Sequence, residues 1–169
     1  TSTYDDPKTP LEFQRFPRPS LEAQIVNIAD PLAYCAHDLE DALNAGYLHF
    51  EEIEHYENPL VQRFLEQCRR NYSGFEKAGK IVKSRLLVRT IIETTNVMVI
   101  EETGRNIAGF AIHSVGDARR TDADLVAAPQ RDWENFQDLK RFLFQRVYQS
   151  PQVCIMNEKG RLILKRIFA

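Results

Sequence analysis

The chain has 169 residues, 43% of them apolar, which suits one domain with a genuine core. Its net charge of −2 hides an asymmetry: residues 1–57 carry twelve acids and three bases, residues 131–169 eight bases and four acids. With a pI near 6.1 this reads as two solvated faces of opposite sign rather than a nucleic-acid surface, and no apolar run is long enough to span a membrane.

Three widely spaced cysteines, Cys35, Cys68 and Cys154, form no CxxC pair. They support neither a zinc site nor a disulfide framework, and suit a reducing, cytoplasmic setting. No signal-peptide pattern opens the chain, and a first residue of Thr1 is the expected mark of a piece cut from a longer protein.

Residues 1–19 hold Pro7, Pro10, Pro17 and Pro19 without periodicity and are expected to form an extended lead-in. Ser20 is placed to cap a helix whose stripe is Leu21, Ile25, Ile28, Leu32, Cys35, Leu39 and Ala42, ending near Gly46. Pro31 removes an amide from that helix and predicts a kink or break beside Asp30. A short turn over His49–His55 follows. Asn58-Pro59 then pairs a cap with a proline at the first helical position and starts a helix running to about Asn71.

After a loop marked by Gly74 and Gly79, a long helix is expected from Lys80 to about Thr103, with Gly104 as its C-cap. Ile107–Val115 stays open between a short strand and a turn of helix. Asp132–Tyr148 reads as a helix with Trp133, Phe136, Leu139, Leu143 and Val147 on one face, and Asn157 as the cap of a last helix. The fold class is all-α or nearly so, with at most one short β element around 107–115. The organisation expected is a lead-in (1–19), a helical part (20–103) and a C-terminal helical region (104–169).

One helical face carries candidate chemistry. Asp30, Tyr34 and Asp38 recur every four residues and so share a face of the first helix, away from its apolar stripe. Carboxylate, phenol and carboxylate in a row suit a divalent metal beside a sugar: a hard oxygen ligand, a ring to pack on the sugar, and an acceptor for a hydroxyl. An acidic face opposite a stripe is more often just solvated. No GxxxxGK[ST] loop exists, and no Ser or Cys sits in a nucleophile motif.

The stretch PSLEAQIVNIADPLAYCAHDLEDALNAG, Pro19–Gly46, resembles a segment of the dGTPase-like branch of the HD-domain triphosphohydrolases. That family reads similarly at PSLEAQ, at ADEIAY and at HDLEDGLRAG, and LKRFLFQRVYQSPQV, Leu139–Val153, is similar to its LKRFL…YRHPRV run. The resemblance implies the C-terminal part of an enzyme that converts a dNTP, dGTP first among them, to deoxynucleoside and tripolyphosphate. It implies a divalent metal, Mg²⁺ or Mn²⁺, as cofactor, with residues 20–103 holding the end of the active site and residues 104–169 forming a phosphohydrolase-associated region.

By motif position the resemblance makes Asp30 the final metal-binding aspartate, packs Tyr34 on the deoxyribose and has Asp38 accept the 3′-hydroxyl. His37-Asp38 spells the family's metal pair but stands in the wrong order for it, since no His precedes His37. The family's other His and His-Asp ligands are absent from this chain, which is therefore expected to be inactive alone, and Pro31 stands where the family has an acidic or polar residue. Arg63, Arg69, Arg70, Lys80, Lys83, Arg85 and Arg89 are the cations available for a triphosphate, with Arg85 and Arg89 on one helical face. A homo-oligomer is the implied assembly. The alternatives are a non-catalytic helical module for nucleotide binding or assembly, and a single-stranded DNA-binding domain drawn from the basic C-terminal region.

Overall fold

The computed structural model describes residues 18–168. The expected lead-in lies almost wholly outside them. Among the described residues there is no strand, and seven α-helices make up the structure: α1 (Leu21–Ala45), α2 (Phe50–Glu54), α3 (Pro59–Asn71), α4 (Lys80–Gly109), α5 (Val115–Arg120), α6 (Gln130–Leu143) and α7 (Pro151–Ile167). A 3₁₀ turn, Phe75–Lys77, precedes α4, and a π-helical turn, Phe144–Tyr148, ends α6.

Cap chemistry explains most boundaries. The Ser20 carbonyl accepts from the Gln24 amide at 3.0 Å and its hydroxyl meets the Ala23 amide at 3.4 Å. α1 stops at Gly46, whose φ of +77° is cheap only for glycine. The Asn58 side chain accepts from the Leu60 and Val61 amides, both at 3.1 Å, with Pro59 opening α3 where a missing amide costs nothing.

Two expectations, at Gly104 and Asn157, are corrected, and two open alternatives, at Pro31 and at 107–115, are narrowed. The break at Pro31 does not occur: α1 is continuous, and exposed Asn27, whose carbonyl loses its bond, can be served by solvent. Gly104 is not a cap. α4 runs through it to Gly109, because one glycine costs a helix only about 1 kcal/mol. The residues 107–115 form no β element: Ile107–Gly109 finish α4, and the chain turns through Ala111, at φ +49°, to Ser114, which caps α5. Asn157 caps nothing, being inside α7; Ser150 is the cap, accepting from the Val153 amide, with Pro151 at the first position.

The chain divides into two compact units, and α1 and α4 each run through both. The described part of the first unit comprises residues 18–32 and 95–129. Its polar organiser is Gln24, 4% exposed, whose Oε1 accepts from the Leu125 and Val126 amides at 2.8 and 3.1 Å. Arg18 donates to the Asp122 carbonyl and pairs with Asp124 at 3.0 Å, while Asn106 donates to the Leu125 carbonyl at 3.0 Å. These bonds hold an otherwise irregular segment, 121–129, in place.

The second unit, residues 33–94 and 130–169, contains the larger core. Leu39 and Leu43 of α1, Leu60, Phe64 and Leu65 of α3 and Phe136 and Leu139 of α6 are all essentially inaccessible. Asn58 joins helices as well as capping one. Its Nδ2 donates to the Asn135 carbonyl at 2.8 Å and to Asp138 at 3.2 Å, while the Tyr56 hydroxyl donates to the same Asp138 carboxylate at 2.5 Å.

Candidate functional site

Asp30, Tyr34 and Asp38 all lie on α1, each one turn after the last. Asp30 belongs to the first unit and is exposed. Tyr34 and Asp38 belong to the second. Tyr34 is 65% exposed, a large aromatic ring left open beside a buried run of Cys35, Ala36 and Leu39. Asp38 is half-buried and its Oδ2 accepts a hydrogen bond from the Tyr148 hydroxyl at 2.5 Å.

Tyr148 is the residue that sequence reasoning does not single out. It lies 110 positions from Asp38, at the end of the π-turn, although the similar run Leu139–Val153 contains it. Asp38 and Tyr148, with Asp41, Tyr47, Leu143, Val147 and others, line a pocket of about 170 Å³. Burial, then the hydrogen bond to Asp38 and the Asp38 charge, pushes the Tyr148 phenol up to about 12, so it stays a donor at neutral pH. Burial, then the Asp38 charge, also pushes the Cys35 thiol up to about 12, which keeps it a protonated core residue rather than a nucleophile.

His37 is exposed, as are His49, His55 and His113. Among the described residues no group of three or more His, Cys, Asp or Glu side chains converges as a metal ion requires. A divalent cation takes several ligands at once. Among the described residues Asp30 is therefore not joined by the further side chains that would complete such a ligand set.

Most of the cations singled out for a triphosphate already have carboxylate partners. Arg63 pairs with Asp132 at 3.0 Å, Arg69 with Glu76 at 2.6 Å, Arg70 with Glu66 at 3.6 Å and Arg89 with Glu93 at 2.8 Å. Lys83 lies between Glu54 and Glu76, at 3.9 and 3.7 Å, over the rings of Phe50 and Phe75. Arg85 and Arg89 do share a face and line one groove of the second unit, but Glu40 and Glu93 line it with them.

The helices of the C-terminal part point to a class before they point to a family. Residues 126–169 match the model of the phosphohydrolase-associated domain, so this segment is of the kind that accompanies phosphohydrolases. Over nearly its whole length the chain is related in sequence to deoxyguanosinetriphosphate triphosphohydrolase-like proteins. It is 58% identical to one from Syntrophus aciditrophicus, across 99% of this chain and 42% of that protein. Against one from Brucella anthropi it is 35% identical, across 94% of this chain and 38% of the relative; against one from Ralstonia pickettii, 36%, across 89% and 37%. The chain is similar to this family over nearly its whole length, and it spans about two fifths of the length of these relatives. No helix among the described residues is long and apolar enough to cross a membrane.

Proposed function

We propose that this chain is the sugar-reading, C-terminal part of a dNTP triphosphohydrolase, with dGTP as the first substrate to test. The observation that carries the reading is the exposed ring of Tyr34 one helical turn before Asp38, on a chain 58% identical to a triphosphohydrolase-like protein. A phenol ring lying against a deoxyribose leaves no room for a 2′-hydroxyl. Asp38, as a carboxylate, accepts the 3′-hydroxyl through an oxygen. Asp30 contributes one carboxylate to a divalent metal whose other ligands lie outside this chain.

On this reading residues 20–103 supply the end of the active site and residues 104–169 its helical support. The chain's own residues bind and orient the sugar; water activation at phosphorus belongs to groups it does not contain, and the isolated chain is inactive. The test is release of tripolyphosphate from dGTP by the full-length protein and by its Asp30→Ala variant. Activity in the first and none in the second supports the reading. Release of tripolyphosphate by the purified 169-residue chain alone contradicts it.

A second reading, a helical assembly module, is favoured by one observation: α7 buries none of its residues and leaves Ile155, Leu162, Ile163, Leu164 and Ile167 exposed. Self-association through this helix is compatible with either reading.

A further inference from the structure

The π-turn that ends α6 buries one of its residues, Val147, and leaves Phe144 and Tyr148 exposed. An extra residue in a turn rotates the residues after it by about 100° relative to an uninterrupted helix, and such insertions cluster at functional sites. Here the rotated residue is Tyr148, the last of the turn. It is held from several directions: the Phe144 ring stacks on it at 6.1 Å, the Gln149 amide donates to the Phe144 carbonyl, and Cys154 Sγ donates to the carbonyl of Tyr148 itself at 3.7 Å. Ser150 and Pro151 then start α7 at once, so the turn is clamped between two helices.

We propose that Tyr148 is a positioning residue of this site: its hydroxyl fixes Oδ2 of Asp38 and leaves Oδ1 for the 3′-hydroxyl of a deoxyribose. The proposal rests on the reading of Asp38 given above. A lone carboxylate on a helix surface samples several rotamers, whereas one held by a phenol presents a defined acceptor. The phenol is suited to that task because, protonated at neutral pH, it donates to the carboxylate and carries no charge to repel it. The adjoining pocket of about 170 Å³ is comparable with the roughly 150 Å³ cavity that admits a single benzene ring, and so is scaled to one ring rather than to a whole nucleotide.

The experiment uses the full-length protein and measures kcat and KM separately for dGTP and for 2′,3′-dideoxyguanosine triphosphate. Wild type, Tyr148→Phe, Asp38→Asn and the double variant are compared, with a thermal melt of each. Tyr148→Phe keeps the ring and is expected to cut the kcat/KM preference for the 3′-hydroxyl about tenfold, the size of one hydrogen bond to a charged group. The double variant is expected to discriminate no less than Asp38→Asn alone, since the two residues act as one unit. A preference that Tyr148→Phe leaves intact overturns the proposal. So does a preference that it increases, which would make Tyr148 a competitor of the sugar. If wild type itself ignores the 3′-hydroxyl, the reading of Asp38 falls and the role of Tyr148 falls with it, an outcome distinct from the other two.

Discussion

α3 and α7 are both rich in apolar residues but meet different fates. α3, thirteen residues long, buries Leu60, Val61, Phe64, Leu65 and Cys68. α7, seventeen residues long, buries nothing, and Ile163, Leu164 and Ile167 are each more than half exposed. Both start in the same way, with a polar cap followed by proline: Asn58-Pro59 in one and Ser150-Pro151 in the other. The comparison separates two things a sequence encodes. Local chemistry starts a helix; only neighbours that present a matching surface bury it. In α3 the apolar residues fall in one stripe that α6 and the surrounding core cover. In α7 they come in adjacent pairs and triplets, Ile155-Met156 and Leu162-Ile163-Leu164, which spread around the helix instead of lining one side.

The largest effect is expected at the centre of the buried helix. Phe64→Ala removes a fully inaccessible ring and should destabilise the chain by about 3–5 kcal/mol, read as a lower denaturation midpoint at unchanged slope. A loss below about 1 kcal/mol would mean that the second unit's core is not packed as described.

Asn58→Ala is expected to cost about 2–3 kcal/mol, because it removes both the cap of α3 and the bonds to Asn135 and Asp138. Its cost carries a pH signature. The Tyr56 hydroxyl, then Arg141 and Asn58, hold the Asp138 carboxyl below the usual carboxylate range. A depressed folded value stabilises above the ordinary carboxylate range and is lost as pH falls through the folded value. Urea melts of the wild type and the variant between neutral pH and about pH 3 should therefore converge in acid. Parallel curves would remove Asp138 from the account.

The smallest effect is expected in α7. Ile163→Ser should change stability by no more than about 0.5 kcal/mol while reducing self-association of the chain in sedimentation. A destabilisation as large as that of Phe64→Ala would show that α7 is covered after all and end the comparison.

Much of the fold is legible because its boundaries are made by local groups. Ser20, Gly46 and Asn58-Pro59 each announce an end that the backbone needs to satisfy, and each end falls there. Where a residue is permissive rather than decisive, the sequence misleads. Gly104 tolerates a helix as well as it ends one, and Pro31 sits where solvent reaches the orphaned carbonyl. Ser150-Pro151 carries the same signal as Asn58-Pro59, but Asn157 and the apolar cluster after it draw the expected start of α7 too far along. Of the candidate site, the row Asp30, Tyr34, Asp38 is legible because four-residue spacing is local. Tyr148 is not, since a contact across 110 positions depends on how α6 ends, and a π-turn leaves no spacing signature that single-sequence reasoning resolves.

The most direct test of the central claim, that this face of α1 reads a deoxyribose, is Tyr34→Ala in the full-length protein, assayed with dGTP against GTP. Because Tyr34 is 65% exposed, the substitution should leave the thermal midpoint nearly unchanged while the preference for the deoxynucleotide collapses. A variant that still rejects GTP as wild type does would contradict the account.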